Sequence, residues 1–423
     1  MLDVRSNYLR ILQNKLLKET FWSFATKGSG FFLFIALNVF LARSLGVERF
    51  GQWSFILSII TVTFLLSYLG INRSTRKYVA QYNKTDLLGS VLISSFRLRI
   101  VFSLLFSLIL LALYKPLAAF MGWSGFETIF FYAIPLVFFS GFVEYFKDVF
   151  QGLHRLKYNF IITSLEYGLK LVLAIGFLSC WHSLTSIVNS FTLALLLTSI
   201  VGFYILYTRY YCRPAEPHRD FTSDIFRYSI PLIVISIGFL IATEVDTIML
   251  GLLSTESEVG FYSVAKQVVV KFPHISLAIA MGAMPVFAKL NESNKTELKN
   301  LFSKMLRFNL LLLLVIVAGV LLLSGYLVPL VFGSEYSASV LPLQILTIYV
   351  VGNSMAILFG SFLDFQGLAT KRGINIVATI VFNIVLNAVL IPVYGAVGAA
   401  IATSVSYLPY VFLNWLEVRK VFR

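Results

Sequence analysis

Among the ionisable side chains inside long apolar stretches of this 423-residue chain, four lysines and three acids stand out: Lys27, Lys170, Lys266, Lys271, Glu166, Glu244 and Asp246. A charge at the centre of a bilayer costs roughly 2.5 to 3.5 kcal/mol on insertion scales, so a residue placed there marks pairing, ligand binding or ion movement. Glu166 and Lys170 stand one helical turn apart and either neutralise each other or separate to serve a ligand and a coupling ion. Lys271, about eleven residues into its stretch and roughly 16 Å deep, shares a helical face with Gln267 and His274 beside Pro273. Snorkelling from that depth is difficult. Lys27 is shallower and continues a face with Ser23, Phe34 and Asn38, so it can reach the inner interface. Lys266 projects about 140° around the helix from Lys271, and the two do not share a narrow stripe. Glu244 and Asp246 fall near the outer end of their stretch, where a solvated mouth would accept them. Ammonium groups suit phosphate and carboxylates suit a cation. The expected substrate-binding set is therefore Lys27, Lys170, Lys271 and Lys266, and the expected ion-coupling set is Glu166, Asp246 and Glu244.

Catalysis finds little support. There is no Walker loop, no HExxH and no GxGxxG after a strand, and Cys180 and Cys212 fall on opposite sides of the membrane, so neither a metal site nor a cofactor is expected. Glu244-Val-Asp246 is like the acidic pair of membrane glycosyltransferases, but those enzymes and the polysaccharide polymerases need a sizeable outer loop that this chain lacks.

The elements that must carry these residues follow from composition. Hydrophobic residues make up 58% of the chain and charged ones 13%, with a mean hydropathy of +0.84, too little polar surface for a soluble globule. The net charge of +14 then points to anionic lipid surfaces and away from nucleic acid. Apolar stretches long enough to span occur at about 21–41, 52–71, 92–113, 128–146, 160–180, 184–207, 228–252, 260–287, 308–332, 341–363, 374–394 and 396–416, twelve in all. Residues 1–20 carry Arg5, Arg10, Lys15 and Lys18 on an amphipathic pattern and read as an interfacial helix, not a signal peptide. With both termini cytoplasmic, 27 basic residues lie inside, including Arg73, Arg76, Lys77, Arg97, Arg99, Lys147, Arg155 and Lys289. Only Arg43, Arg49 and Lys115 lie outside, which is the asymmetry the positive-inside rule demands. The five tryptophans, Trp22, Trp53, Trp123, Trp181 and Trp415, fall at span ends or in outer loops, as headgroup anchors do.

The chain repeats itself. Phe50-Gly51 is matched 209 residues later by Val259-Gly260, and Phe150-Gln151-Gly152-Leu153 is matched 215 residues later by Phe365-Gln366-Gly367-Leu368. The expected fold is all-α, twelve transmembrane helices in two parallel six-helix bundles around a central cleft. The boundaries are an interfacial helix over 1–20, an N-terminal bundle over 21–210, a cytoplasmic linker over 211–225 with prolines at 214 and 217, and a C-terminal bundle over 226–423. Span 11 also carries Asn375, Thr379, Asn383 and Asn387 every four residues, a polar stripe suited to helix packing or to lining a cleft.

Three blocks carry a family resemblance. Arg43-Ser-Leu45-Gly46 with Phe50-Gly51, Asp246-Thr-Ile-Met-Leu250-Gly251 with Gly260-Phe-Tyr262, and Asn383 through Thr403 resemble the polysaccharide exporters of the multidrug/oligosaccharidyl-lipid/polysaccharide superfamily. The motif glycines look architectural, with Pro392 ending span 11. The resemblance implies a non-enzymatic Wzx-type flippase in a bacterial inner membrane, moving a polyprenyl-pyrophosphate-linked oligosaccharide to the outer leaflet for O-antigen, lipopolysaccharide or other polysaccharide assembly. Membrane lipids, a polymerase and assembly proteins are the partners it implies. The alternatives are a cation-coupled multidrug exporter of the same superfamily and a polymerase or glycosyltransferase. On the flippase reading Glu166 takes up a coupling proton when substrate claims Lys170, with Asp246, nearer the outer mouth and able to exchange with external solvent, as the alternative.

Overall fold

Hydrocarbon offers a backbone amide no partner, so a chain this apolar must satisfy its own N–H and C=O groups, and helices do this within one segment. A computed structural model describes residues 2–68, 70–123, 125–210, 219–281, 287, 295–366 and 368–422, with side chains from Leu17 onward except at 231, 233–242, 365 and 369. All regular structure among them is helical. In order come α1 (Leu2–Tyr68), α2 (Ile71–Tyr82), α3 (Leu88–Met121), α4 (Phe126–Gly152), α5 (Leu156–Cys180), α6 (Leu184–Tyr210) and α7 (Thr222–Leu253). Then follow α8 (Glu256–Val269), α9 (Lys295–Phe332), a 3₁₀ turn (Ser334–Ser339), α10 (Val340–Phe365) and α11 (Ala369–Val421). The linker residues 211–218, with Cys212 and Arg213, lie outside the described residues, as do Lys289 and the side chains of Arg5, Arg10 and Lys15.

Nine helices among the described residues are long and apolar enough to cross a membrane, and the chain is a multi-pass membrane protein. Two of the nine, Leu17–Tyr68 and Thr370–Val421, each take in two of the stretches read as spans, because the helix breaks in mid-course at Gly46 (φ 73°, ψ 173°) and at Gly395 (φ 52°, ψ −128°). Positive φ at both positions explains why glycine stands there. This corrects the reading of Pro392 as the end of span 11: the helix continues past Pro392, and the turn is made three residues later by Gly395. A second correction concerns the polar stretch after span 2. It holds α2, whose residues Ile71, Ser74, Thr75 and Val79 are buried while Arg73, Lys77 and Ala80 face outward.

The chain divides into two compact units, residues 1–41 with 59–240, and residues 42–58 with 241–423. In the first, α4 packs on α3, α5 and α6, α5 packs on α6, and α2 lies on α3 and α4. The buried side of α4 is aromatic, with Phe126, Phe130, Tyr145, Phe146 and Phe150. Asp220 caps the start of α7 by accepting from the Thr222 hydroxyl (2.6 Å), the Thr222 amide (2.9 Å) and the Ser94 hydroxyl (3.0 Å). Those bonds, the Thr222 hydroxyl foremost, hold its carboxyl below the usual range. Arg99, placed by the sequence among the inner basic residues, is instead fully buried in α3. Its guanidinium donates to Ser103 (2.8 Å) and Ser67 (2.6 Å).

In the second unit α10 runs along α11 and packs on α8 and α9. The two copies of the Gly51/Gly260 repeat meet there. A Cβ on Gly51 would come within 2.8 Å of the Glu256 carbonyl carbon and 3.0 Å of the Gly260 nitrogen, and one on Gly260 within 3.2 Å of the Val47 carbonyl carbon. Only glycine permits backbones this close. Trp53 is buried beside this crossing at 1% exposure and is a core residue, not the headgroup anchor its position at a span end suggested. The stripe on α11 joins the two arms either side of Gly395: Asn375 donates to Asn414 (3.2 Å) and Asn383 to Ser406 (3.3 Å), while Asn387 donates within its own arm to Asn383 (2.9 Å).

Because backbone and not a flexible side chain fills the space at both glycines, Gly51→Val and Gly260→Val should each lower the melting temperature of the detergent-solubilised protein, at a cost of at least about 1 to 3 kcal/mol. Gly319→Ala, where an added Cβ meets nothing within 4 Å, should leave it unchanged or raise it. Equal melting of all three variants would show that the crossing is not close.

Candidate functional site

Each unit holds a cluster of charge buried among helices. In the first, Glu166 on α5 accepts from Lys170 one turn along (2.6 Å) and, through its other oxygen, from Lys147 on α4 (2.7 Å). Lys147 also donates to Glu144 (2.6 Å). The side chains of Glu166, Lys170 and Lys147 are 8%, 12% and 17% exposed, so the desolvation of each is offset mainly by the others. The Lys170 ammonium also sits 5.5 Å from the centre of the Phe191 ring. The pair visible from sequence is thus half of a four-residue network. Lys147, which sequence reasoning placed in the inner loop after span 4, and Glu144, which it left unassigned inside that span, belong to it; their signal was a charge pair at the end of span 4, but only the packing of α4 on α5 brings it to Glu166.

Beside this cluster α1 lies close on α5. The Ser164 hydroxyl donates to Ser29 (3.0 Å), a Cβ on Gly30 would be 3.1 Å from the Thr163 methyl, and Phe34 meets Tyr167 edge to face. Lys27 is exposed on α1, and Asn38 spends its amide on the Phe34 carbonyl of its own helix (2.8 Å).

In the second unit Lys266 on α8 donates to Asp246 (2.9 Å) and Thr247 (2.7 Å) of α7 and to the Thr243 carbonyl, with Glu244 3.7 Å away. Asp246 also accepts from the Tyr262 hydroxyl, and Thr403 of α11 stands 3.4 Å from the same oxygen. Ser58 bonds to Glu244. Asp246 is 6% exposed, so it does not stand in a solvated mouth as its sequence position suggested. It is the hub of a buried network whose cost is met by Lys266, Tyr262 and Thr403.

Lys271 is placed differently from the continuous helical face expected for it. α8 ends at Val269, and residues 270–272 form a turn before the helix resumes at 273. Pro273 has no N–H and its ring crowds the preceding turn, which breaks the helix there. Lys271 lies in that break, half-buried, with its carbonyl accepting from the His274 amide (3.2 Å). Among the described residues no group of three or more His, Cys, Asp or Glu could hold a metal ion.

The comparisons with known proteins agree with this architecture. Residues 16–291 match the family of polysaccharide biosynthesis proteins, and the chain belongs to that family. The "Probable low-salt glycan biosynthesis flippase Agl15" of Haloferax volcanii is 30% identical over 188 residues, covering 44% of this chain and 39% of that protein. Among solved structures, an inward-facing multidrug resistance MATE family transporter of the MOP superfamily superposes with a TM-score of 0.76 at 17% identity, over 92% of this chain and 94% of that one. The lipid II flippase MurJ, in an inward closed conformation, superposes at 0.73 with 15% identity over 95% and 89%. The chain therefore shares its fold with these two transporters, and its family, polysaccharide biosynthesis, agrees with the one the sequence motifs resemble.

Removing Glu166 leaves Lys170 buried without a carboxylate. Glu166→Ala should destabilise the protein by about 3 to 5 kcal/mol, and the double variant Glu166→Ala/Lys170→Ala should recover much of that loss. Denaturant unfolding in detergent reads both; additive losses in the double variant would mean that the two side chains do not support each other.

Proposed function

We propose that this protein is a flippase that moves a polyprenyl-pyrophosphate-linked oligosaccharide from the cytoplasmic to the outer leaflet, by alternating access between two parallel six-helix bundles of twelve spans around a central cleft. A pyrophosphate cannot enter hydrocarbon unaided, because an isolated ion there costs tens of kcal/mol by Born estimates. A polyprenyl tail can stay in lipid while the charged and sugar portions pass through protein. The observation that carries the reading is the Lys147–Glu144–Glu166–Lys170 network, in a chain of the polysaccharide biosynthesis family. It keeps lysines inside the bilayer and can exchange one carboxylate partner for a phosphate. The proposed ligand-binding residues are Lys27, Lys170, Lys271 and Lys266. Glu166 is the proposed coupling residue, with Asp246 and Glu244 as its counterpart in the second unit. O-antigen or lipopolysaccharide assembly in a bacterial inner membrane, alongside a polymerase and assembly proteins, is the setting in which such a flippase would act.

A second reading, a cation-coupled small-molecule exporter, is favoured by the MATE likeness and by the Glu244–Lys266–Asp246 cluster, where two carboxylates meet one lysine. Deletion in the native host separates the two. The flippase reading expects lipid-linked saccharide to accumulate and surface glycan to disappear, with Lys170→Ala and Lys271→Ala reproducing the loss at normal protein abundance and Lys271→Arg better tolerated. Normal glycan in both alanine variants would remove these lysines from the site, and drug sensitivity without glycan loss would favour the exporter.

The proposed orientation, with both termini cytoplasmic, expects alkaline phosphatase to be active when fused after Glu256 and inactive when fused after Lys295. The reverse at either junction would invert the topology.

A further inference from the structure

Outside the two buried clusters, the first unit contains a cavity of about 400 Å³, within the roughly 300 to 1,000 Å³ range of small-molecule sites. Arg73, Arg76, Lys77, Gln151, His154 and Glu19 contribute to its lining. Positions 73, 76 and 77 follow the i, i+3, i+4 spacing of one helical face, so α2 turns three cations into one space while its other side is buried. Arg76 is fixed in place: it donates to Asp148 (2.8 Å), which also accepts from the Tyr68 hydroxyl (2.6 Å). Lys77 lies 3.6 Å from the centre of the Tyr228 ring, and neither it nor Arg73 forms an ion pair among the described residues. The one carboxylate on the wall, Glu19, is already engaged with the Leu156 amide (2.8 Å).

His154 adds a second observation. It is the only non-glycine residue with positive φ (53°) among the described residues, in the turn where the Arg155 amide reaches back to the Phe150 carbonyl (2.9 Å). Glycine is the residue that such a turn favours. An imidazole stands there instead, on the cavity wall.

The surrounding elements place the cavity at the membrane surface. α1 ends at Tyr68, α4 ends at Gly152 and α5 starts at Leu156, so the lining residues gather at helix ends. Next to Glu19, α1 exposes Leu17, Phe21 and Phe24. A phosphate held here would sit at headgroup depth with acyl or prenyl chains beside it.

We propose that this cavity binds the diphosphate group of a prenyl lipid at the membrane surface, a loading site separate from the buried lysines. The proposal rests on the flippase reading for its place in transport, although the binding itself does not depend on turnover. Arg76 supplies a preorganised guanidinium, Arg73 and Lys77 close on the remaining oxygens, and His154 donates from the turn.

The test uses the full-length protein in phosphatidylcholine nanodiscs, with farnesyl diphosphate as the probe. Wild type should bind it at least about ten-fold more tightly than farnesyl monophosphate, and Arg73→Ala/Lys77→Ala should weaken binding about ten-fold or more. His154→Gly should weaken it about three-fold while the melting temperature stays level or rises, which separates loss of the ligand from loss of the fold. Gly319→Ala, in the second unit and outside every proposed site, should bind the probe as wild type does. Unchanged affinity in the double variant would overturn the site. Inorganic pyrophosphate binding as tightly as the prenyl compound would overturn the lipid source, and phosphatidylglycerol in the discs competing as well as the probe would overturn the diphosphate. Loss of binding in Lys170→Ala with none in the double variant would place the probe in the buried cluster instead. Failure of the flippase reading shows separately, as absence of lipid-linked saccharide on deletion.

Discussion

The constraint on which the structure depends is that polar groups inside the helices must find partners within the protein, because hydrocarbon supplies none. Both charge clusters obey it. In the first, four ionisable groups close on one another, Lys147 and Lys170 sharing the two oxygens of Glu166 while Glu144 takes the remaining demand of Lys147. In the second, hydroxyls complete what charges leave open, with Tyr262 and Thr247 on the Asp246–Lys266 pair. Arg99 is one of several exceptions among the described residues, Asn72 being another: two serines satisfy part of the Arg99 guanidinium, and one nitrogen meets no acceptor.

The backbone meets the same demand wherever a helix breaks. At Gly395 the freed Ala396 amide is taken by Glu258 (2.6 Å), whose carboxylate occupies the space a Cβ would fill. At the end of α9, Arg43 donates to the carbonyls of Leu330 and Val331 (2.8 Å to the latter), and Tyr336 reaches the Ala42 carbonyl (2.9 Å). Gln52 and Glu256 are likewise tied (2.9 Å) beside the Gly51–Gly260 crossing. Arg43, Gly51 and Gly260 of these motif blocks therefore hold the second unit together, and their roles are architectural. A ligand has to be sought elsewhere.

Much of the helical fold was legible because a span leaves a long, unambiguous run of apolar residues, but the break after span 11 was read at Pro392 and is made at Gly395, where positive φ and not the missing N–H decides. What sequence could not supply was depth and neighbourhood. Asp246 lies two residues from Glu244 near a span end, and nothing along the chain says that Tyr262 and Thr403 will close over it. Trp53 has the composition and position of an interfacial anchor, and only the crossing beside it buries it. Lys271 was read on a continuous helix because Pro273 does not announce whether it kinks or interrupts. Glu166 and Lys170 were found because both lie on one helix, one turn apart; Lys147 was missed because its link to them is tertiary. The α2 face was legible in spacing, with basic residues at 73, 76 and 77, but hidden by the assumption that a polar stretch between spans is loop.

On the flippase reading, the stoichiometry of the first cluster imposes a condition on transport. Two lysines facing two glutamates amount to no net charge, so the cluster as built does not attract a diphosphate. Lys170 becomes available only when Glu166 is neutralised, and Glu166 is the shared partner, so a proton delivered to it loosens both lysines at once while Lys147 keeps Glu144. Proton arrival and phosphate arrival then favour each other, and by linkage each must raise the affinity for the other by the same factor. In a cluster where each lysine owned a separate carboxylate, one proton would loosen only one lysine. On the flippase reading, the sharing of Glu166 would let an otherwise structural ion network exchange a proton for an anion while Lys147 keeps Glu144 and the anion takes Lys170.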